Sequence, residues 1–453
     1  MNFLKIISGF FLSLLILTMS LVVPPVLCEA QSTPDSSRKE PFWNFHFQST
    51  VTAQYHPAFT ARYSGVNSLD NSAESTVSIT STLFFGARLW QGAQVYFNPE
   101  LSGGSGFSKT TGVAGFPNGE VYRVSDVAPH VYIARFYFRQ LIPLRGDRSR
   151  KADEVNHVAG LEPDSYVSIN IGKFSIMDFF DNNSYSHDPR TQFYNWALMG
   201  NGAWDYPANT RGYTYGLVSE LVKRGWALKF GIVMMPVIPN GSKMDFNLWR
   251  SNSVALEFQK NYTIGSQPGV VRVMGYLSQA QMGSYRDAMT WGQARDTVPL
   301  LAFSRGYGHT KYGFGVNVEH AISRDVGIFL RGSWNDGHNE TFTFTEIDRA
   351  FSMGFSLGGK LWWMPDDHLG LAFLVNGLSA FHRDFLKAGG SGFIIGDGAL
   401  NYAPEFITEV YYSFRFFAKG LWLTPDFQFI LHPAYNLDRG PAYVFGIRAH
   451  FAI

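Results

Sequence analysis

The stretch Val77-Ser-Ile-Thr-Ser-Thr-Leu-Phe-Phe-Gly-Ala-Arg-Leu89 alternates with a period of two. Its odd positions read Val77, Ile79, Ser81, Leu83, Phe85, Ala87 and Leu89, and its even positions Ser78, Thr80, Thr82, Phe84, Gly86 and Arg88. Successive side chains of a strand point to opposite faces, so one face here is apolar and the other mostly polar or small. The pattern returns where Met353, Phe355, Leu357 and Leu361 oppose Ser352, Gly354, Ser356, Gly358 and Lys360. It returns again at the end, with Phe445, Ile447, Ala449, Phe451 and Ile453 against Gly446, Arg448, His450 and Ala452. A soluble sandwich and a lipid-facing sheet share such alternation.

Spacing separates the two. The pattern predicts sixteen strands, at about 43–56, 74–90, 93–102, 130–142, 165–174, 211–222, 225–235, 252–260, 270–280, 312–321, 325–335, 350–362, 368–377, 404–417, 421–431 and 441–453. Links after even strands are mostly short, as at Gln91-Gly92, Lys223-Arg224, Ser323-Arg324, Met364-Pro365-Asp366 and Lys419-Gly420. Links after odd strands are mostly long: 103–129, 175–210, 236–251, 281–311 and 378–403. An even strand count with short turns at one end and long loops at the other defines an all-β, antiparallel transmembrane barrel. One link departs from the rule. Residues 143–164, with Arg145, Asp147, Arg148, Arg150 and Lys151, form either a solvated charged excursion or a sign that the strand count is off by two there.

Composition agrees with a barrel. Charged residues are 16% of the 453, below the roughly 25% of soluble domains, while aromatics reach 16%. A net charge of +1 gives no reason to expect a nucleic-acid partner. Lys5, the apolar run Ile6–Val23, the break at Pro24-Pro25 and the sequence Cys28-Glu29-Ala30 read as an export signal cleaved after Ala30. The long run also suits an uncleaved anchor helix, whereas Leu27 stands against a lipoprotein anchor at Cys28. The expected organisation is a cleaved signal at 1–30, a polar periplasmic segment at 31–41 and a barrel at 42–453 in a bacterial outer membrane. Cys28 is the only cysteine, so the mature chain can hold neither a disulfide nor a Cys-ligated metal. Sixteen strands enclose a water-filled lumen, and the last strand must pair with the first to remove the edge.

Three segments resemble the carbohydrate-selective porin family (OprB-like). They are Gly112-Val-Ala-Gly-Phe-Pro-Asn-Gly-Glu120, the run from Asp181-Asn-Asn-Ser-Tyr-Ser-His-Asp-Pro-Arg190 through Asn195-Trp196 to Tyr215, and Thr424-Pro-Asp-Phe-Gln-Phe-Ile-Leu-His-Pro433. The resemblance implies a sixteen-stranded porin, trimeric or monomeric, passing glucose and similar neutral sugars through a constriction of arginine and acidic side chains. Outer-membrane lipid and lipopolysaccharide would surround it. The chain departs from the family pattern in ending on Ile453 rather than phenylalanine.

A sugar pore needs donor forks, carboxylate acceptors and aromatic faces on its wall. The tight turn at Gln91-Gly92 sets Arg88 opposite Gln94 on the lumen face. If Gln94 in turn faces Arg139, Asn98 faces Arg135, with Glu100 diagonal to Arg135; Arg88 and Arg139 lie low, Arg135 and Glu100 nearer mid-height. Each of these residues could equally do no more than wet the wall. The loop 175–210 carries Asp178, Asp181, Arg190, Trp196, Trp204 and Asp205, aromatic enough to predict that it folds inward and narrows the pore; a cap packed on itself is the alternative.

No cofactor and no metal are expected. The segment Asp181–Asp188 is acidic like a calcium loop but lacks the glycine at its sixth place. A barrel hydrolase would gather a nucleophile and a base. Ser105 in Gly103-Gly-Ser-Gly-Phe107 fails the nucleophile-elbow pattern, and His130, His187 and His382 are scattered. The Gly-rich run Gly389–Gly398 lacks phosphate-cradle spacing. The closer rival is a broad or organic-acid diffusion porin on the same scaffold.

Overall fold

The computed structural model describes residues 40–123, 127–416 and 420–453. The expected export signal, most of the polar segment after it and Lys419 of one short turn lie outside these residues. Along β2 (Glu74–Trp90) the quoted alternation is inside out relative to a soluble sheet. Val77, Phe85 and Leu89 are 40–45% exposed, while Ser78, Thr80 and Thr82 are 4% exposed or less. An apolar face left open and a polar face buried is the arrangement lipid imposes on a barrel wall.

The wall runs through β1 (Trp43–His56), β2, β3 (Ala93–Gly104), β4 (His130–Pro143), β7 (Tyr166–Phe174), β8 (Thr214–Lys223), β9 (Trp226–Met234) and β10 (Asn252–Ile264). It continues through β11 (Gln267–Ala280), β12 (His309–Ala321), β13 (Val326–Asn335), β14 (Arg349–Gly358), β15 (His368–Gly377), β16 (Glu405–Arg415), β17 (Leu421–Leu431) and β18 (Ala442–Ala452). These sixteen antiparallel strands close on themselves through β1 and β18, paired from Gln48↔Ala452 to Tyr55↔Phe445. Closure satisfies the backbone of every wall strand from its neighbours, which lipid cannot do.

Two sequence expectations change in detail. The strand expected at 350–362 ends at Gly358, because Gly359–Trp362 turn as a 3-10 helix. A Cβ on Gly359 would stand 1.8 Å from the Met364 carbonyl oxygen, so the close turn requires glycine. The anomalous link adds no wall strand and is a charged excursion, with Arg145, Asp147, Arg148, Arg150 and Lys151 all exposed. It holds a separate hairpin, β5 (Arg148–Lys151) with β6 (Gly160–Pro163), paired from Arg148↔Pro163 to Lys151↔Gly160.

Long loops fill the lumen. Residues between β7 and β8 cross it and bond to wall strands all around: the Asp181 N–H to Glu257 of β10 (2.6 Å), Asn183 to Asn317 of β12 (2.8 Å) and the Tyr194 N–H to Glu409 of β16 (2.5 Å). Arg448 of β18 donates to the carbonyls of Pro189 and Gln192 at 2.6 and 2.8 Å. This loop therefore folds inward and is not an outer cap. The loop between β3 and β4 joins it, its Ala114 and Gly115 N–H groups bonding Glu405 at 3.1 and 2.8 Å. Trp196, which opens the short helix α1 (Trp196–Met199), ties the two loops together through its indole N–H to the Asn118 carbonyl (2.6 Å).

Candidate functional site

Among the described residues the loops leave a cavity of about 590 Å³ against β3 and β4. Its lining runs from Tyr122 and Arg123 on the loop between β3 and β4 to Val155 and Asn156 of the link that holds the hairpin. The register that builds this wall is Arg88↔Gln94, Gln94↔Arg139 and Asn98↔Arg135, as the tight turn implied. A bulge then shifts the pairing between Asn98 and Pro99, so Glu100 lies opposite Tyr132.

Arg190 is the centre of the charge pattern. It reaches from the inward loop to Glu100 of β3 (3.1 Å) and to Glu120 of the neighbouring loop (2.9 Å). Burial by itself would lower the Arg190 guanidinium; Glu120 and Glu100 outweigh it and hold it well above the usual arginine range. Glu100 also accepts from Thr82 (2.6 Å), from Tyr213 (3.0 Å) and from the Tyr132 hydroxyl. Burial and the nearby Glu100 push the Tyr213 hydroxyl up, so at neutral pH it is a donor. Arg135 makes a forked pair with Asp178, Nε to Oδ2 at 2.7 Å and Nη2 to Oδ1 at 2.6 Å, and keeps its Nη1 buried without a partner. Its guanidinium also lies 5.3 Å from the Tyr213 ring centre. Arg211 lies over Tyr132, 4.0 Å from the ring centre, and its Nη1 likewise has no partner among the described residues.

The signs balance. The cavity is lined by five arginines (Arg123, Arg135, Arg139, Arg190, Arg211) and five carboxylates (Glu100, Glu120, Asp178, Asp188, Glu220). His187 also lines it, and burial lowers the His187 imidazole, which is therefore neutral at pH 7.

Of the residues expected to line a pore, Glu100, Arg135, Arg139, Asp178, Arg190 and Trp196 come together on this cavity. The others serve elsewhere. Arg88 donates to the Ala159 carbonyl (2.8 Å) and Gln94 to Glu162 (3.3 Å), so both are taken up by the hairpin. Asn98 is fully buried at the bulge, both its amide atoms unpartnered. Asp181 pairs with Arg331 at 3.5 Å and accepts from Asn317 at 2.6 Å, anchoring the inward loop to the far wall. Asp205 accepts the N–H groups of Phe342, Thr343 and Phe344 at 2.8, 2.8 and 3.0 Å, which fixes the loop between β13 and β14. Trp204 is buried against Phe180 and Tyr206. Sequence reasoning missed Tyr132, which the bulge turns inward, and Glu120, although Glu120 closes a segment already singled out. It also missed Arg211 and Tyr213, just past the expected end of the inward loop. Among the described residues no cluster of metal-ligating side chains is present.

A closed sixteen-stranded wall, an apolar outer face and a polar, loop-narrowed interior define an outer-membrane diffusion channel. Residues 67–453 match the carbohydrate-selective porin, OprB family, and the chain belongs to that family, one of channels and not of enzymes. The chain is similar to porin AaxA of Chlamydia abortus, 22% identical over 298 residues, which are 64% of this chain and 55% of that protein. It thus spans about half the length of the curated relative it matches. Its fold is similar to that of Pseudomonas putida OprB at high pH (14% identity, TM-score 0.68, covering 91% of this chain and 94% of that one). It is also similar to the outer-membrane channel DcaP of Acinetobacter baumannii (10% identity, TM-score 0.50, covering 91% and 97%). At these identities the two structures share the fold alone.

Proposed function

We propose that the protein is a passive channel for neutral carbohydrates, glucose and similar sugars, and that residues 1–30 direct its export and are removed. The observation that carries this reading is the charge-balanced cavity, in which arginine forks, carboxylates and tyrosine rings face one another. Forked donors bridge neighbouring sugar hydroxyls, carboxylates accept from them, and the apolar face of a sugar ring rests on an aromatic. With the signs balanced, the field favours neither anions nor cations, so a neutral solute is the one such a wall selects. Arg135 and Arg211 each keep one buried guanidinium nitrogen unpaired at the cavity, and Arg190 positions the two glutamates it bridges.

A second reading, a channel for small organic or sugar acids, is favoured by Arg211, which has no ion pair among the described residues. Swelling of liposomes holding the purified protein decides between them. Faster entry of glucose than of gluconate or benzoate is expected. Equal entry of all solutes of one size would leave only a broad diffusion pore, and faster entry of the acids would establish the second reading.

A further inference from the structure

The link between β4 and β7 sits at the end of the barrel where the turns are short and both ends of the wall lie, and it does not hang free. Its tip is a two-residue turn, Val155-Asn156, closed by reciprocal backbone bonds between Glu154 and His157 at 3.1 and 3.0 Å. The wall grips this turn from one side. Asn44 of β1 donates to Asp153 Oδ1 (2.6 Å), to the Glu154 carbonyl (3.1 Å) and to the His157 carbonyl (2.9 Å). Val158, fully buried, packs beside Gly86, where an added Cβ would stand 2.3 Å from Asn44 Oδ1 and 3.0 Å from Val158 Cγ2. Arg88 holds the Ala159 carbonyl, and Arg139 faces Glu162 at 3.6 Å.

So tethered, the tip reaches the cavity. Val155 and Asn156 line it together with Arg139, and Asn156 Oδ1 is buried there without a hydrogen-bond partner. Asn156 has φ +55°, a backbone state that asparagine accepts more readily than most residues. A buried amide oxygen with nothing bonded to it is an unsatisfied acceptor, which a donor brought to the tip would satisfy.

We propose that this tip is a second selectivity element, at the periplasmic end of the path. Val155 sets the width there, and Asn156 accepts a hydrogen bond from the passing sugar. The part concerning Asn156 rests on the reading of the protein as a sugar channel; the part concerning Val155 does not.

Single-channel recording of the full-length protein in planar bilayers tests both. Val155→Trp should lower ion conductance roughly twofold, as an added ring in a narrow wet path does. Asn156→Ala should leave conductance near wild type and weaken block of the ion current by glucose by about two- to tenfold, the range of one neutral hydrogen bond. To keep folding out of the result, Val155→Cys channels already inserted are treated with a positively charged methanethiosulfonate reagent, and their current should drop while wild-type channels do not respond. Full current in treated Val155→Cys channels and in Val155→Trp would place the tip off the path and overturn the proposal. Unchanged glucose block in Asn156→Ala would overturn the role of Asn156. If glucose fails to block wild-type channels, the sugar reading falls, and the Val155→Cys current still decides whether the tip narrows the path.

Discussion

Arg190 and Asp205 are both charged residues of one inward loop, yet their surroundings give them different work. Arg190 faces the cavity and bridges Glu100 and Glu120. Asp205 faces away from it and gathers three backbone N–H groups of the loop between β13 and β14, beside Lys311 at 3.5 Å. Removing Arg190 leaves two buried carboxylates facing one another in the path, so Arg190→Ala should turn a balanced lumen cation-preferring and weaken glucose block. Asp205→Asn should leave ion preference unchanged, because it lies off the cavity. It replaces charge-assisted bonds, worth roughly 1.5–3 kcal/mol each, with weaker neutral ones, so residues 336–348 should become the first site of cutting by an added protease. Reversal potentials in a salt gradient and limited proteolysis read the two arms; an ion-preference shift in Asp205→Asn would mean that the division between lining and anchoring residues is drawn wrongly. Sequence alone could not draw that division. Asp178 and Asp205 look alike in a loop rich in Asp and Trp, and only the path of the chain through the lumen sets one on the cavity and the other behind it.

Among the elements, the wall strands and the inward turn of the loop after β7 were legible and the hairpin β5–β6 was not, for a physical reason. Lipid acts on each wall residue separately, so β2 and β18 carry the period of two in their own residues. The hairpin β5–β6 is held by contacts far apart in sequence, from Asn44 to Arg139; its charges are solvated as they read, but nothing local marks the tethers. The link also holds a titrating pair. His157 donates to Glu162 at 3.1 Å. That bond, against the opposing effect of burial, raises the imidazole above its ordinary 6.5. Burial opposes ionisation of Glu162, but His157 and then Arg139, with a smaller contribution from Lys151, outweigh it and hold the carboxyl below its ordinary 4.5. A raised histidine stabilises fully below 6.5 and loses that contribution as pH rises through its folded value. A lowered glutamate stabilises fully above 4.5 and loses it as pH falls through its folded value. The hairpin should thus be tightest between about 4.5 and 6.5. Amide hydrogen exchange across 148–163, referred to wall strands at each pH, should show less protection at pH ~8.5 than at pH ~5.5. His157→Gln should flatten the difference; an undiminished pH dependence in that variant would remove the pair as its cause.

At the scale of the molecule, the two ends of the barrel do different work, and the asymmetry follows from how chain length is distributed. Turns such as that between β12 and β13, Ile322–Asp325, are too short to reach inward, whereas loops such as that between β15 and β16, 378–404, have chain enough to fold over the lumen. The loops thereby narrow the space that sixteen strands enclose, and a cavity of about 590 Å³ lies beside them. In a barrel of this kind the short turns face the periplasm and the long loops the outside. Both ends of the wall, Trp43 and Ala452, then lie on the periplasmic side with the hairpin, and α2 (Ala380–Lys387) lies on the outer side. Two exposed positions test this directly, Arg324 on a short turn and Lys387 at the end of α2. On intact cells a bulky, membrane-impermeant thiol reagent should label Lys387→Cys and spare Arg324→Cys. Once the outer membrane is made permeable, both should react, which shows that Arg324→Cys was shielded by its side of the membrane and not by burial. Labelling of Arg324→Cys on intact cells, with Lys387→Cys spared, would invert the barrel. It would also move the Val155-Asn156 tip from the exit of the path to its entrance, so that a sugar would meet Asn156 before it met Arg190.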